Sequence, residues 1–329
     1  MSSRTTPGRA APPGVTAPGV RGRALLLVSC CLVGVLALWW LFVGTYTGQR
    51  LEAAALEGSE IGSHYVSDQA RALLSTVSMP AAVVLVAVIL LVGWLRGSHR
   101  RALWAVVAVV GANLSTQVIK QWVLWRPDYD ITARWDNANT LPSGHTTMAA
   151  SAAVALVLLA GTRWRTAAAW VGAGATAAMG YSTLVCQWHR PSDVLSAVLV
   201  AVAWGAVAVA AGAWQGGDRD PDGHGGQHDG GQHGGQHGSG HSDGDRDEGA
   251  GGEAAAARGS QQLWNTVLTV AGAVGCAGAG LLEMWVWSRS AAPLTRWDLF
   301  AAYTAGSVAT VAVSCLALGA LVGLSGWRR

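Results

Sequence analysis

Three short polar clusters interrupt an otherwise apolar chain, and their residue types suit the handling of an oxyanion. They read Lys120-Gln-Trp-Val-Leu-Trp-Arg126-Pro127, Leu141-Pro142-Ser143-Gly144-His145 and His189-Arg190-Pro191-Ser192-Asp193. Lys120 and Arg126 supply positive charge, and the planar fork of a guanidinium matches phosphate oxygens. Ser143 has the side chain of a helix N-cap, and Gly144 lets backbone approach a ligand closely. The N–H groups of the first turn behind them have no intrahelical partner and point at any anion placed there. His145 stands beside that opening. The four-residue spacing from His189 to Asp193 lets the carboxylate accept a hydrogen bond from one imidazole nitrogen, leaving the other as a nucleophile or base. Pro191 fits the first turn of a following helix, where its missing N–H is no loss.

Together these residues point to covalent phosphoryl transfer. The cations and the helix N-terminus neutralise the equatorial oxygens, one histidine attacks phosphorus, and the other protonates the leaving oxygen. Water then hydrolyses the phosphohistidine. No aspartate–histidine group has the look of a fixed metal site, so neither a metal nor another cofactor is expected.

Such chemistry needs elements that bring the three clusters together, and the composition says which. Of 329 residues, 51% are hydrophobic and only 12% charged, about half the charged fraction of a soluble domain. The expected fold class is all-α, a polytopic membrane helical bundle. Apolar stretches of spanning length lie near 24–46, 72–95, 102–124, 145–161, 166–186, 192–214, 263–287 and 299–324, where a span needs about 20 residues. Asn113, Gln117 and Lys120 fall on one helical face at i, i+4 and i+7. An interior polar stripe accounts for the first two, whereas a cation at the rim of a bilayer is expensive unless it has a role. The formal charge of +3 is too small and scattered for a nucleic-acid partner. Cys30, Cys31, Cys186, Cys276 and Cys315 lie mostly in apolar runs without CxxC spacing, so neither a disulfide framework nor a metal site is indicated.

Orientation follows the Lys/Arg bias. With the N-terminus inside, cytoplasmic segments hold 14 of the 22 basic residues, and the short loops 96–101 and 163–165 are arginine-rich without an acidic partner. The expected location is the plasma membrane, with all three clusters on the extracytoplasmic face and both termini inside. A soluble substrate would not need a site at a lipid rim, so the expected partner is a lipid phosphate or a polyprenyl diphosphate. Residues 1–23 form a disordered N-terminus, and 24–214 hold six of the eight apolar stretches. Residues 215–262 read as a disordered Gly/His/Asp-rich cytoplasmic linker holding His224, His228, His233, His237 and His241, a tract able at most to bind Zn²⁺ or Ni²⁺ loosely. Residues 263–329 supply a C-terminal helix pair. Loop 48–71 reads as an external connector with a short surface helix at Leu51–Glu57, or as a lid over the site. Trp122, Trp125, Trp135, Trp188, Trp285, Trp287 and Trp297 fit an interfacial aromatic belt.

The clusters resemble the motifs of the type 2 phosphatidic acid phosphatase family, whose membrane members share a site architecture with vanadium haloperoxidases. Lys120…Arg126-Pro127 looks like the first motif, Pro142-Ser143-Gly144-His145 matches the second without change, and Ser182-Thr183…His189…Asp193 resembles the third. The resemblance implies that His189 is the nucleophile, Asp193 its orienting partner and His145 the general acid. Lys120, Arg126, Ser143 and Gly144 would hold phosphate. It also implies a six-helix core over about residues 24–214, with the rest appended. Two departures stand out: five residues separate Lys120 from Arg126 where the family has six, and Thr183 replaces a phosphate-binding arginine. Arg190 is close enough in sequence to fill part of that gap. Substrates compatible with the pattern include phosphatidate, phosphatidylglycerophosphate and polyprenyl diphosphates such as undecaprenyl diphosphate. The rival readings are a haloperoxidase-like oxidant enzyme, and a non-catalytic lipid-phosphate binding or transport protein with a degenerate site.

Overall fold

The computed structural model describes residues 18–61, 67–76, 79–131, 139–215 and 244–325, and every regular element among them is helical. Helix α1 (Pro18–Leu38) widens into a π-turn at Trp39–Val43, and α2 (Tyr46–Ser59) follows after a sharp turn. Then come α3 (Ser67–Ser75), α4 (Met79–Leu95) and α5 (His99–Val118), the last also ending in a π-turn, Ile119–Val123. Helices α6 (Gly144–Leu159), α7 (Arg165–Val185) and α8 (Pro191–Ala210) complete the central part, and α9 (Gly244–Arg289) and α10 (Arg296–Gly323) close the chain.

Five helices are long and apolar enough to cross a bilayer: Gly19–Val43, His99–Val123, Pro191–Ala210, Ala255–Arg289 and Arg296–Gly323. Val83–Leu95 and Gly144–Leu159 are shorter apolar helices. The molecule is an all-α, multi-pass membrane bundle. The stretch expected at 72–95 is not one helix, because α3 ends at Ser75 and α4 starts at Met79. Residues 1–17, 132–138 (with Arg134 and Trp135), 216–243 (with the five linker histidines) and 326–329 lie outside the described residues, and so do the expectations attached to them.

Helix α8 is the hub, packed against α1, α5, α6 and α10. Its Val198 and Val202 share a core with Ala105 and Ala112 of α5, Val154 and Leu158 of α6, and Leu318 and Leu321 of α10. Small side chains dominate because, in lipid, helices associate through close van der Waals contact rather than through exclusion of water. At Gly180, for instance, an added Cβ would lie 2.6 Å from Val194 Cγ1. Hydroxyls join the helices too: Thr116 and Thr147 are 2.9 Å apart, and Asn113 Nδ2 donates to Ser151 Oγ at 3.1 Å.

Three expectations change. Helix α10 is no appendage to a self-contained core, since it packs on α2, α7 and α8 as well as α9. Helix α9 starts at Gly244, inside the segment expected to be an unstructured linker. The run Glu253-Ala-Ala-Ala-Ala-Arg258 has high helix propensity, and extending an existing helix needs no new nucleus. Helix α2 is not a surface connector: Gln49, Glu52, Leu56 and Ser59 are all buried, one side of a helix laid across the end of the bundle.

Candidate functional site

The end of α5, the start of α6, the end of α7 and the start of α8 all lie at one end of the bundle, roofed by α2. The two π-turns fall at this end as well. Inserting one residue into a helical turn changes its phase, and such turns recur at functional sites. The stripe expected from Asn113 to Lys120 is broken at Gln117, upstream of the π-turn. Asn113 faces α6, Gln117 is exposed, and Lys120 lies half-buried in the π-turn. Asn139 Nδ2 donates to the carbonyls of Leu124 at 2.8 Å and Lys120 at 3.4 Å, tying the π-turn to the strand of chain that leads into α6.

Ser143 caps α6 as its side-chain type suggested. Its Oγ accepts from Thr146 N at 3.4 Å and from Thr146 Oγ1 at 3.1 Å. Its own N–H donates to the carbonyl of Asp193 at 2.9 Å, so the N-termini of α6 and α8 are joined directly. A Cβ built on Gly144 would meet nothing within 4 Å, which marks free space in front of that turn. His145 sits on the next residue, its ring centroid 5.4 Å from that of Trp188, near enough to His189 and Lys120 to feel their charge.

His189 is placed by the way α7 ends. Trp188 N donates to Thr183 O and Gln187 N to Leu184 O, both at 2.9 Å, with Gln187 in the left-handed region at φ 58°. That is a Schellman closure, which usually uses glycine at the left-handed position. Gln187 offsets the steric cost with its side chain, whose Nε2 donates to Leu56 O of α2 at 2.9 Å. His189 Nδ1 lies 3.3 Å from Asp193 Oδ2. The same oxygen accepts from Thr140 Oγ1 at 2.7 Å and from Arg190 N at 3.0 Å. Asp193 is wholly buried, and its three donors hold it in one rotamer.

Arg126 and Arg190 occupy neighbouring positions behind this pair. Arg126 Nη2 donates to Gln49 Oε1 at 2.7 Å, while its Nε and Nη1 are buried and have no hydrogen-bond partner. Burial first, and then the charge of Arg190, push its guanidinium down to about 10, still protonated at neutral pH. Arg190 is buried and donates from Nη1 to Thr140 Oγ1 at 3.4 Å. Two guanidiniums in mutual range with two unused buried donors describe a place short of an anion. Ser182 and Thr183 do not contribute side chains to it. Ser182 Oγ donates to Ala178 O at 2.8 Å and Thr183 Oγ1 to Gly180 O at 2.7 Å, within their own helix.

The sequence clusters omitted three participants. Thr140 bridges Asp193 and Arg190 from the loop before α6, and no periodic pattern marks it. Gln49 orients Arg126. Glu52 is the third, 2% exposed, with Oε1 accepting from Ser192 N at 3.1 Å and Oε2 buried without a partner. Desolvation and the neighbouring charge of Asp193 push its carboxyl up to about 7, against the pull of Arg190, Ser192 and Arg126. The spacing of Gln49, Glu52, Leu56 and Ser59 at three- and four-residue steps was the available signal. Among the described residues, no three His, Cys, Asp or Glu side chains come together as a metal cluster.

Residues 101–216 match the PAP2 superfamily model. No curated protein and no solved structure matches the chain. The matched stretch contains Lys120, Arg126, Ser143, His145, His189 and Asp193, and leaves out α2, α9 and α10. A PAP2-superfamily domain is therefore present in residues 101–216, set in a multi-pass bundle of apolar helices.

Proposed function

We propose that the protein is an integral membrane lipid phosphatase that hydrolyses a lipid phosphate or polyprenyl diphosphate through a phosphohistidine on His189. The observation that carries this reading is the fixed His189–Asp193 pair at the junction of α6 and α8, facing a helix N-terminus and flanked by Arg126 and Arg190. With Nδ1 turned to Asp193, Nε2 is the nitrogen left to attack phosphorus. The bond from phosphorus to the leaving oxygen breaks as His145 gives that oxygen a proton. A water then attacks the phosphohistidine, its proton passes to His145, and inorganic phosphate leaves. Arg126, Lys120 and the first-turn N–H groups behind Ser143 and Gly144 neutralise the charge that develops on the equatorial oxygens. Arg190 supplies part of the charge that Thr183 lacks.

The test is acid-quenched labelling with a ³²P-labelled lipid phosphate, beside kinetics against substrates of differing leaving group. His189→Ala is expected to lose both turnover and acid-labile label. His145→Ala is expected to lose most against a poor alkoxide leaving group and least against nitrophenolate. Label retained on His189→Ala would overturn the assignment. Orthovanadate, which can adopt the five-coordinate geometry of the transferring phosphorus, should inhibit. A second reading, a non-catalytic lipid-phosphate binder or transporter, is favoured by Thr183, whose hydroxyl is committed to its own helix. Phosphate release by the purified protein separates the two.

We also place the site on the extracytoplasmic face, with the termini and the 215–262 segment inside. The support is the arginine content of the opposite end of the bundle, where Arg96, Arg100, Arg101 and Arg163 lie. Cysteines placed at Asn139 and Gln232 should differ in labelling by an impermeant thiol reagent on intact cells, and labelling of position 232 alone would reverse the orientation.

A further inference from the structure

A cavity of about 550 Å³ lies where α2, α8, α9 and α10 meet, outside the residues assigned to phosphate. Its walls are apolar, with Leu51, Leu195, Trp287, Ala309 and Val313 among them. Leu41 and Met284 also line it, and both are exposed. The cavity therefore opens on the surface that lipid would cover, and its size is within the range of small-molecule sites. Two acidic side chains interrupt the apolar wall, Glu52 from α2 and Glu283 from α9, and no Lys, Arg or His lines it. Glu52 is 2% exposed and its Oε2 has no hydrogen-bond partner. Glu283 makes no hydrogen bond or ion pair among the described residues. The nearby Arg289 is engaged elsewhere, 2.8 Å from Asp298 Oδ1 and stacked over Trp285.

Acidic groups at membrane depth are costly, and they persist where they face a cavity or a ligand. Simple packing would favour leucine or methionine at both positions. An anionic lipid is the wrong occupant, because both carboxyls would oppose its charge. A neutral chain would leave them unsatisfied. We propose that this cavity binds an amphiphilic amine drawn from the bilayer, its hydrocarbon part against Leu195, Trp287 and Val313 and its ammonium paired with Glu283. The ammonium donates to the Glu283 carboxylate, with Glu52 buried in the wall behind, and a low-dielectric surrounding strengthens that attraction relative to water. Glu52 is shared with the candidate phosphate site, but Glu283 and the apolar walls lie outside it, so the amine site stands whether or not the phosphatase reading holds.

The experiment uses the full-length protein in nanodiscs of zwitterionic lipid, with dodecylamine brominated on its chain as a quencher of tryptophan fluorescence and the equally brominated dodecanol as its uncharged counterpart. The amine is expected to saturate at a concentration at least about tenfold below the alcohol, the factor that about 1.4 kcal/mol of charge pairing gives. Trp287→Phe should remove most of the saturable quenching. Glu283→Gln should erase the preference for the amine; its helix content and monodisperse elution verify folding without reference to activity. Gly280→Leu should weaken amine binding at least about fivefold, because a Cβ there meets open space and a larger side chain fills the cavity without displacing a neighbour. Equal binding of amine and alcohol by the unmodified protein would overturn the proposal, as would a preference that survives Glu283→Gln. Quenching indifferent to both Trp287→Phe and Gly280→Leu would place the amine elsewhere and overturn it equally.

Discussion

Asp193 and Glu52 are both buried carboxylates at the same end of the bundle, and their surroundings differ in kind. Asp193 stands in the first turn of α8 and takes three donors on one oxygen, from Thr140, Arg190 and His189. Glu52 reaches the same helix start from α2 and takes a single backbone N–H, that of Ser192. The first arrangement fixes a charge and a direction. The second leaves a group poised near neutrality, because desolvation is only partly offset by Arg190 and Arg126. A carboxylate that must orient an imidazole needs the first kind of surroundings; one that responds to whatever lies next to it needs the second.

Removing the fixed charge tests that contrast hardest. Asp193→Asn keeps size and most contacts but offers the wrong group to the imidazole, so phosphate release per folded protein should fall by about 10³–10⁴-fold. A fall of less than tenfold would mean that His189 is held by other means. Arg126→Ala removes two unused donors along with their charge and is expected to cost about 10²–10³-fold in rate. Arg126→Lys should recover only part, since an ammonium cannot replace the fork that meets Gln49. Full recovery with lysine would reduce Arg126 to a point charge.

Glu52 should behave in the opposite sense, through stability. Its folded carboxyl lies near 7 against an ordinary value of 4.5. The folded state thus holds the proton more tightly, and the contribution to stability is complete below about pH 4.5 and fades as pH rises through about 7. Each unit of that displacement corresponds to about 1.4 kcal/mol. Glu52→Gln, neutral throughout, should therefore gain thermal stability relative to the unmodified protein as pH goes from 5 to 8. Melting in mild detergent at both ends of that range reads it, and a gap that stays constant with pH would show that Glu52 does not titrate there. The smallest effect is expected at Gln187, which both carries a left-handed backbone and ties α7 to α2. Gln187→Gly relieves about 1 kcal/mol of backbone cost and loses the side-chain bond to Leu56, so the melting temperature should move by only a few degrees. Gln187→Ala loses the bond and keeps the cost, and should be the less stable of the two.

The legible part of this molecule was the part written in local patterns. Apolar runs of spanning length gave the helices, and Ser143, Pro191 and the His189–Asp193 spacing marked helix starts that the structure contains. What stayed hidden depended on phase and on distance. The π-turn at Ile119–Val123 shifts the phase of the chain that leads on to Arg126, and nothing in its residues announces it. Helix α2 looked like a connector because its mean polarity is high. Only its buried face, Gln49 to Ser59, shows what it covers. Thr140 joins Asp193 across 53 positions of chain through a loop without periodicity. Thr183, conspicuous as a missing cation, proves to matter through its carbonyl, which closes the turn carrying His189.

Helix α9 has one further consequence, a mechanical one. Its 46 residues, at 1.5 Å each, make a rod about 70 Å long, against a hydrocarbon thickness of about 30 Å. The rod touches the rest of the molecule near Gln261, which donates to Arg163 O at 2.6 Å, and near Trp264, whose carbonyl takes the Trp170 N–H at 3.3 Å. Beyond that contact the stretch from Gly244 to Ser260 reaches about 25 Å. On the other side the rod is clamped along its length: Gly272 and Gly275 meet Ala312 and Leu316 of α10, and Gly319 of α10 meets Thr269. A pull on the outlying arm is therefore borne by the α9–α10 seam and does not reach Glu283 as a rotation.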